Sequence, residues 1–271
     1  MYSLINKVKE VNPLVVHYTN EVTINDCANI TLALGASPLM SYSKEEVEEV
    51  ISIASSVVIN IGTMNSERIE LFIKAGKAAN KFNKPVILDP VGVFATKTRI
   101  DFVNRILNEV NFDVIKGNVA EIKFIGGLDI QGKGVDSFDD GEDISEVIKK
   151  VSKKLNSIIV ATGKVDFISD GNEVIKIANG TAKLKDVTGT GCMTGSLIGS
   201  YLGAITAGIE KSEVSSTKLL EAAAMGVTTM AICGELADSN DIAIGTFKVE
   251  LMNNIYTISE DTFKEYGRVE R

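Results

Sequence analysis

The chain has 271 residues, of which 45% are hydrophobic, and its formal net charge is −8 at pH 7. This is an ordinary globular composition with ample material for a core, and the acidic balance without a Lys/Arg block argues against a nucleic-acid or membrane-surface role. Three widely separated cysteines and one histidine exclude a closed disulfide framework, a C-x-x-C site and any multi-histidine metal site, and they suit a reducing cytosol.

The first half of the chain alternates between helical and strand-like patterns. Its N-terminus lacks a basic start followed by a long apolar run, so no signal peptide is expected, and no stretch reaches the roughly 18 uninterrupted apolar residues of a membrane span. Ser43 and Glu46 form a capping-box pattern that predicts the start of a helix. Five elements are predicted next: a strand at 57–62, a helix around 67–82, a strand at 86–88, a helix around 99–110 and a strand at 113–118.

The second half continues the alternation and then becomes mostly helical from residue 192. Its predicted elements are an amphipathic helix at 143–156, a strand at 157–163, and a β-hairpin at 165–169 and 173–177 around Asp170-Gly171-Asn172. Strands separated by helices of ten or more residues indicate βαβ crossovers and a largely parallel sheet covered on both faces. Because no repeat, low-complexity tract or linker interrupts the pattern, we expect a single α/β domain over residues 1–271.

Ligands of open α/β sheets bind outside the carboxyl ends of the strands, so the residues that follow each strand are the first candidates for a site. They are Asp89 to Gly92, Gly117-Asn118, Thr162-Gly163 and the loop at 187–192. Polar or glycine-rich residues recur at these exits. We expect them to converge at one edge of the sheet.

The loop VTGTGC at 187–192 precedes a predicted helix and carries Gly189 and Gly191. Backbone amides at a helix N-terminus bind anions, and glycine lets a phosphate approach them. The loop is neither a Walker loop, since no Gly-Lys-Ser/Thr follows, nor the dinucleotide fingerprint, which opens the first βαβ unit. The alternative is a tight turn before a closely packed helix, which the spacing of Gly195, Gly199 and Gly203 favours.

Three polar residues near the exits have local interpretations. Asp89 either begins an Asp-Pro turn or holds Mg²⁺, directly or through water. Glu121 would complete a helix cap with Asn118. Lys116 is either a surface lysine at a strand edge or a charge beside the phosphates of a nucleotide.

Six motifs in this order resemble hydroxyethylthiazole kinases, a thiamine-salvage family of the ribokinase-like superfamily, over nearly the whole chain. They are ALGASPLM (33–40), NIGT (60–63), VILDPVG (86–92), KGNVAEI (116–122), ATGKVD (161–166) and VTGTGC (187–192). The resemblance implies a doubly wound, ribokinase-like α/β fold and Mg²⁺-dependent transfer of the ATP γ-phosphoryl group to the primary alcohol of 4-methyl-5-(2-hydroxyethyl)thiazole. It also implies a cytoplasmic homotrimer with active sites between subunits.

Matching positions carry the functional residues of this family onto the chain. The resemblance implies the following roles: thiazole binding for Met40, Gly189, Asn20 and Asn25, with Thr19 in the same segment; ATP binding for Lys116 and Thr162; phosphate binding for Thr188, Gly189, Thr190 and Gly191; magnesium binding for Asp89 and Glu121; and catalysis for Cys192. Cys192 stands where the wider superfamily has an aspartate base, and thiazole kinases resemble one another in having cysteine there.

Two positions depart from the family pattern. Lys116 stands where the family often has arginine, so a flat, two-pronged phosphate contact becomes a single point charge that affects ATP affinity more than reaction type. His17 is one place later than the histidine expected after PLV, and it receives no role.

Three rival functions stay open. One is a ribokinase-like kinase of another vitamin-precursor alcohol. Another is an ATP-dependent dehydratase of hydrated nicotinamide nucleotides, which Cys192 argues against because that family normally has aspartate after the glycine loop. A non-catalytic nucleotide sensor is disfavoured by the presence of both Asp89 and Glu121.

Overall fold

The structure is a computed structural model, and it describes residues 1–128, 144–238 and 242–271. The elements of the first part are α1 (Leu4–Val11), β1 (Leu14–Tyr18), α2 (Ile24–Leu34), β2 (Ser37–Met40), α3 (Val47–Ile53), β3 (Ser56–Asn60), α4 (Ser66–Lys81), β4 (Val86–Asp89), α5 (Lys97–Glu109), β5 (Val114–Asn118) and α6 (Val119–Ile125). The elements of the remainder are α7 (Ile144–Leu155), β6 (Ile158–Thr162), β7 (Asp166–Ser169), β8 (Val174–Ile177), α8 (Thr190–Thr206), α9 (Ser216–Asp238), α10 (Ile244–Thr257), α11 (Glu260–Tyr266) and β9 (Val269–Glu270). Residue 143, the first of the predicted helix at 143–156, lies outside the described residues.

One sheet of the order β2-β1-β3-β4-β5-β6-β7-β8-β9 joins the described strands. The pairs from β2 to β6 are parallel, and those from β6 to β9 are antiparallel. The largely parallel sheet and the hairpin of β7 and β8 are therefore confirmed, whereas β1, β2 and β9 were not predicted. The order reverses between β1 and β3, and such a switch point is where doubly wound sheets bind their ligands.

Two hydrophobic cores lie on opposite faces of this sheet. One face packs against α1, α2 and α8 to α11, and the other packs against α3 to α7. Adjacent strand residues alternate between the two cores, as Val57 and Val58 do, because successive side chains of a strand point to opposite faces. The predicted doubly wound α/β arrangement with helices on both faces is confirmed.

The two capping boxes predicted from sequence have different outcomes. Asn118 accepts from the Glu121 amide at 2.9 Å while Glu121 Oε2 accepts from the Asn118 amide at 2.8 Å, so the box at the start of α6 is confirmed. The box of Ser43 and Glu46 is wrong. Ser43 Oγ donates to Glu45 and the Glu46 carboxylate accepts from Ser41 at 2.7 Å, so both side chains are engaged elsewhere and α3 begins only at Val47.

The spaced glycines of α8 let this helix lie close against the strands, as the alternative interpretation of the glycine loop predicted. A Cβ at Gly199 would lie 2.9 Å from Val58 Cγ2, and one at Gly203 would lie 3.0 Å from Pro13 Cβ. Side chains at these positions would push α8 off the sheet. The helix that carries the glycine loop therefore lies close against β1 and β3.

Among the described residues, α9 alone is long and apolar enough to cross a membrane by length and composition. However, 78% of its most apolar window is buried inside the protein. Its contacts with α8 and α10 belong to the hydrophobic core. Burial in the core accounts for its composition.

Candidate active site

Polar side chains from three neighbouring strands meet at the carboxyl edge of the sheet. Asn60 and Asp89 are the last residues of β3 and β4, and Lys116 is the middle residue of β5. Asn20 follows β1 by two residues, and Cys192 lies in the first turn of α8. The strand exits therefore converge at one edge of the sheet, as predicted, and the structure places this convergence beside the β1/β3 switch point.

Two asparagine amides converge on the sulfur of Cys192. Asn60 Nδ2 donates to Cys192 Sγ at 3.2 Å. Asn20 Nδ2 donates to the same sulfur at 3.4 Å. Asn20 Nδ2 also donates to Asn60 Oδ1 at 2.8 Å. The amide of Gly62 donates to Asn60 Oδ1 at 2.9 Å, and the amide of Thr23 donates to Asn20 Oδ1 at 3.0 Å. Backbone donors thus fix both side-chain orientations, because N–H groups must face the amide oxygen.

Asp89 carries a buried carboxylate with unequal surroundings at its two oxygens. Oδ2 accepts from Asn60 Nδ2 at 2.8 Å and lies 3.4 Å from Lys116 Nζ. Oδ1 is buried and has no hydrogen-bond partner among the described residues. Burial raises the pKa of the Asp89 carboxyl, and the Lys116 ammonium opposes that rise. An unpaired buried carboxylate oxygen is costly, which favours a ligand at this position.

Lys116 is almost fully buried and points at the glycine loop. A Cβ built on Gly191 would lie 3.1 Å from Lys116 Nζ. Burial is the largest single effect and disfavours the charged ammonium, but Asp89 together with the neighbouring Cys192 and Glu121 outweighs it and raises the pKa of Lys116 above its ordinary value. The side chain is therefore a positive charge inside the cluster, and the surface interpretation is wrong.

The Glu121 carboxylate lies in the same region and is held by backbone amides. Oε1 accepts from the amide of Gly92 at 2.8 Å, and Oε2 accepts from the amide of Asn118. The helix-cap interpretation is thus correct. It leaves second lone pairs on both oxygens, so a water-mediated contact with a metal is compatible with the cap.

The glycine loop has the geometry that an anion site requires. Gly189 caps α8 with φ +93°, in the left-handed region, and a Cβ there would lie 2.6 Å from Thr23 Cγ2. Gly191 and Thr188 are exposed, so the first amides of α8 face solvent. Thr190 Oγ1 turns back to donate to Leu184 O at 2.8 Å. A helix N-terminus with free amides attracts negative charge.

Thr162 ends β6 beside Asn118, its partner in the register with β5. Its hydroxyl donates to Gly117 O at 3.3 Å. The following turn is held by Asp166, whose Oδ1 accepts from the amide of Gly163 at 2.8 Å. Burial raises the pKa of Asp166 to about 7. The sequence motif contained Asp166, but no role was assigned to it.

Two predicted substrate residues lie outside the hydrogen-bonded cluster. Met40 ends the edge strand β2, half-buried, and pairs in register with His17. Asn25 is exposed on α2, and its Oδ1 accepts from Asn29 Nδ2 at 2.8 Å. Within the described residues, no hydrogen bond joins either side chain to the cluster.

His17 is buried on β1 and is held on both sides. Nδ1 contacts the acceptor Val15 O at 3.1 Å and therefore carries the proton, so Nε2 accepts from Ser196 Oγ at 3.0 Å. Burial lowers the pKa of His17 to about 4, which keeps the ring neutral. This histidine joins β1 to α8 through Ser196 and stabilises the fold.

The neutral state of His17 predicts a loss of stability in mild acid. Because the pKa of His17 is about 4 in the folded protein, against 6.5 for an unperturbed histidine, its contribution is complete above pH 6.5 and falls as the pH drops towards 4. The full contribution is about 3 kcal/mol in the free energy of unfolding. We expect the difference in the free energy of unfolding between the wild type and His17→Gln to shrink by this amount between pH 7 and pH 4. Urea unfolding across this range measures it.

The variant isolates His17 because carboxyls with raised pKa values, such as that of Asp166, titrate in both proteins and cancel in the difference. If the difference in the free energy of unfolding between the two proteins stays constant between pH 7 and pH 4, the ring is not held neutral.

Among the described residues, no cluster of three or more His, Cys, Asp or Glu side chains forms a ready-made metal cage. Mg²⁺ does not require one, since it is usually held by one or two carboxylates together with waters and substrate phosphates. The unpaired Oδ1 of Asp89 is a suitable hard oxygen ligand. The residues present therefore fit a magnesium ion that arrives with a nucleotide.

Comparison with known proteins connects this geometry to a family. The model of the Hydroxyethylthiazole kinase family matches residues 5–261. The chain is 60% identical to a hydroxyethylthiazole kinase of Clostridioides difficile (strain 630) over 270 residues, which cover 100% of this chain and 99% of that protein. It matches the solved structure of a hydroxyethylthiazole kinase protein from Pyrococcus horikoshii OT3 with a TM-score of 0.84 and 34% identity, covering 99% of this chain and 97% of that one.

A more distant likeness supports the fold alone. A ribokinase-like superfamily protein from Enterococcus faecalis V583 matches with a TM-score of 0.61 at 14% identity, covering 94% of this chain and 95% of that one. The fold is thus ribokinase-like, as expected. The matched family model and the high full-length identity show that the chain belongs to the hydroxyethylthiazole kinase family.

Proposed function

We propose that the protein transfers the γ-phosphoryl group of ATP to the primary alcohol of 4-methyl-5-(2-hydroxyethyl)thiazole, a step of thiamine salvage. The observation that carries this proposal is the convergence of Asp89, Lys116 and Cys192 beside the open amides of α8. A carboxylate, a buried cation and an anion-binding loop are the parts that phosphoryl transfer requires. The family to which the chain belongs is named for this reaction.

The catalytic contribution of the protein is alignment and electrostatic stabilisation. The amides from Thr188 to Gly191 would receive the oxygens of the transferring phosphoryl group, and Lys116 would place its charge against the ATP phosphates. Fixed donors in a partly desolvated site stabilise developing negative charge without reorganising. Holding the alcohol in line with the γ-phosphorus supplies much of the remaining rate acceleration.

Asp89 and Glu121 are the proposed residues of the magnesium region. Asp89 has a free oxygen for direct or water-mediated contact, whereas the oxygens of Glu121 already accept backbone amides, which favours contact through water. Mg²⁺, when bound with ATP, would neutralise phosphate charge. Thr162 and the turn held by Asp166 would border the nucleotide on the β6 side.

The thiazole ring would occupy the region from Gly189 and Asn20 towards Met40. We infer that a second subunit completes this pocket in a cytoplasmic homotrimer, and that each subunit is a single domain over residues 1–271. Apolar side chains exposed on and just before α2, the helix that packs against the edge strand β2, support this assembly: Leu32 is 56% exposed and Val22 is 66% exposed. In this arrangement Asn25, exposed on α2, would contact the thiazole only with the neighbouring subunit in place.

The proposal predicts that the purified protein converts the thiazole alcohol and ATP to ADP and the thiazole phosphate. We expect turnover to disappear when EDTA removes Mg²⁺ and to return with added Mg²⁺. Mass spectrometry of the products checks this. Parallel reactions with a pyrimidine alcohol and pyridoxal test the rival kinases, and a hydrated nicotinamide nucleotide tests the dehydratase. Faster ADP formation with any of these substrates than with the thiazole would contradict the assignment.

A further inference from the structure

We propose that Asn60 is a positioning residue that holds the sulfur of Cys192 and the carboxylate of Asp89 in a fixed relation. This inference rests on the proposed function, which places Cys192 at the acceptor alcohol and Asp89 in the magnesium region. Asn60 would not touch either substrate. It would act by fixing the two groups between which the phosphoryl group must pass.

The side-chain amide of Asn60 uses its full hydrogen-bonding capacity in four directions. Oδ1 accepts from the Gly62 amide at 2.9 Å and from Asn20 Nδ2 at 2.8 Å. Nδ2 donates to Asp89 Oδ2 at 2.8 Å and to Cys192 Sγ at 3.2 Å. An asparagine amide has two acceptor lone pairs and two donor hydrogens, so all four are engaged.

The orientation of this amide cannot reverse without loss. Gly62 offers only an N–H donor, and Asp89 offers a carboxylate acceptor. A flipped amide would set donor against donor and acceptor against acceptor. Because Asn60 is only 1% exposed, water cannot replace the lost partners at low cost. The network therefore has one stable arrangement.

The position of Asn60 in the fold explains why a single side chain can join these groups. It ends β3, which lies between β1 and β4 in the sheet. Asn20 follows β1, Asp89 ends β4, and α8 crosses above with Cys192. Asn60 is thus the link across the switch point between the acceptor side and the metal side of the site.

The first consequence concerns the sulfur in the absence of substrates. Donors to a sulfur stabilise negative charge on it, and alkylation proceeds through the thiolate. Asn60→Leu keeps the side-chain volume but removes both donated hydrogen bonds. We expect iodoacetamide to modify Cys192 roughly threefold more slowly in this variant, because the loss of a charge-assisted hydrogen bond to the sulfur is partly offset by the greater nucleophilicity of a less stabilised thiolate. Peptide mass spectrometry distinguishes Cys192, which is half-buried, from the buried Cys27 and Cys233.

The second consequence concerns turnover. Misplacement of a reacting group by about 1 Å costs roughly 10²-fold, so we expect kcat of Asn60→Leu to fall by about that factor while KM for ATP stays within a few-fold. In a Cys192→Ala background the same substitution should cost much less, because one of its two targets is already absent. Asn60→Asp keeps the volume and an accepting oxygen for Gly62 and Asn20 but loses both donated hydrogen bonds, and it provides a second variant in case the leucine protein does not fold.

Ser56→Ala is the matched control. Ser56 is also buried on β3 and donates to Gly199 O of α8 at 2.7 Å, at the opposite end of the strand. It joins the same two elements away from the cluster, so a purely structural effect would appear in both variants. The proposal is overturned if the Asn60 variants match Ser56→Ala in the rate of Cys192 alkylation or in kcat. It is also overturned if Asn60→Leu lowers kcat as much in the Cys192→Ala background as in the wild type. Since alkylation needs no substrate, a wild type that fails on the thiazole refutes the proposed function alone.

Discussion

Gly191→Val is expected to lower kcat/KM by more than about 10³-fold while the protein stays folded. Removal of one donor from a preorganised anion site already costs about 10²–10³-fold, and a valine here would keep the phosphoryl group from several amides of α8. The position itself accepts a side chain, because Gly191 is exposed and its added Cβ would meet only Lys116 Nζ, the end of a flexible chain, at 3.1 Å. Steady-state kinetics together with the thermal midpoint of unfolding measure both effects.

Gly245→Val serves as the matched control for this prediction. Gly245 is the second residue of α10, as Gly191 is of α8; both are exposed, and a Cβ at Gly245 would meet nothing within 4 Å among the described residues. Both substitutions put a β-branched residue in the first turn of a helix, so their effects on stability should be similar. Near-normal activity of Gly191→Val would mean that the phosphate does not approach these amides.

Much of the central fold was predictable because its pattern is local. Buried runs such as VVIN and IIVAT stand between amphipathic helices, and these elements were found within a few residues of their actual bounds. The edge strand β2 was missed, since Ser37–Met40 is short, half-buried on every residue and contains a proline. Proline is tolerated at a sheet edge, but it removes the sequence signal of a strand.

The cluster was predictable in part. The rule that ligands bind at strand exits predicts Asp89, whereas only the family resemblance predicts a role for Lys116, whose own pattern leaves a surface position open; both side chains are buried. Asn60 is absent from the predicted site because the pattern of VVINIG predicts a strand to residue 62, whereas β3 ends at Asn60 itself. Its contacts with Asn20 and Asp89 depend on β1 and β4 flanking β3, and this order is a tertiary property.

The N-terminal segment shows the same limit. Thr23, Asn20 and Asn25 are close in sequence, yet Asn20 enters the cluster while Asn25 faces outwards on α2. The helix begins at Ile24, and its rotation separates the two asparagines. Thr23 packs against Gly189, in the space that a larger side chain at position 189 would occupy. No local pattern in either segment indicates this contact.

Cys192→Ala is expected to remain active with kcat lowered by about 10²-fold, the lower end of what general-base assistance provides. The sulfur accepts hydrogen bonds from the side-chain amides of Asn20 and Asn60. This geometry suits a group that orients an alcohol or weakly assists removal of its proton. Phosphoryl transfer with a loose transition state needs little help from a base. Cys192→Asp should also stay active, because a carboxylate accepts hydrogen bonds from the same two amide groups and is ionised, and so able to accept a proton, at neutral pH.

The competing mechanism uses Cys192 as a covalent nucleophile, since a thiol at a helix N-terminus can be reactive. It requires a phosphorylated cysteine that forms and decays at the rate of turnover, and alanine at this position would then abolish the reaction. The hydrogen-bond network argues against it: the one histidine of the chain, His17, is bonded to Val15 and Ser196 and does not contact the sulfur, so no imidazole activates it. Intact-mass spectrometry after a single turnover decides between the two. We expect no mass increase of a phosphoryl group on the wild type, whereas such a species, absent in Cys192→Ala and consumed as product appears, would refute direct transfer.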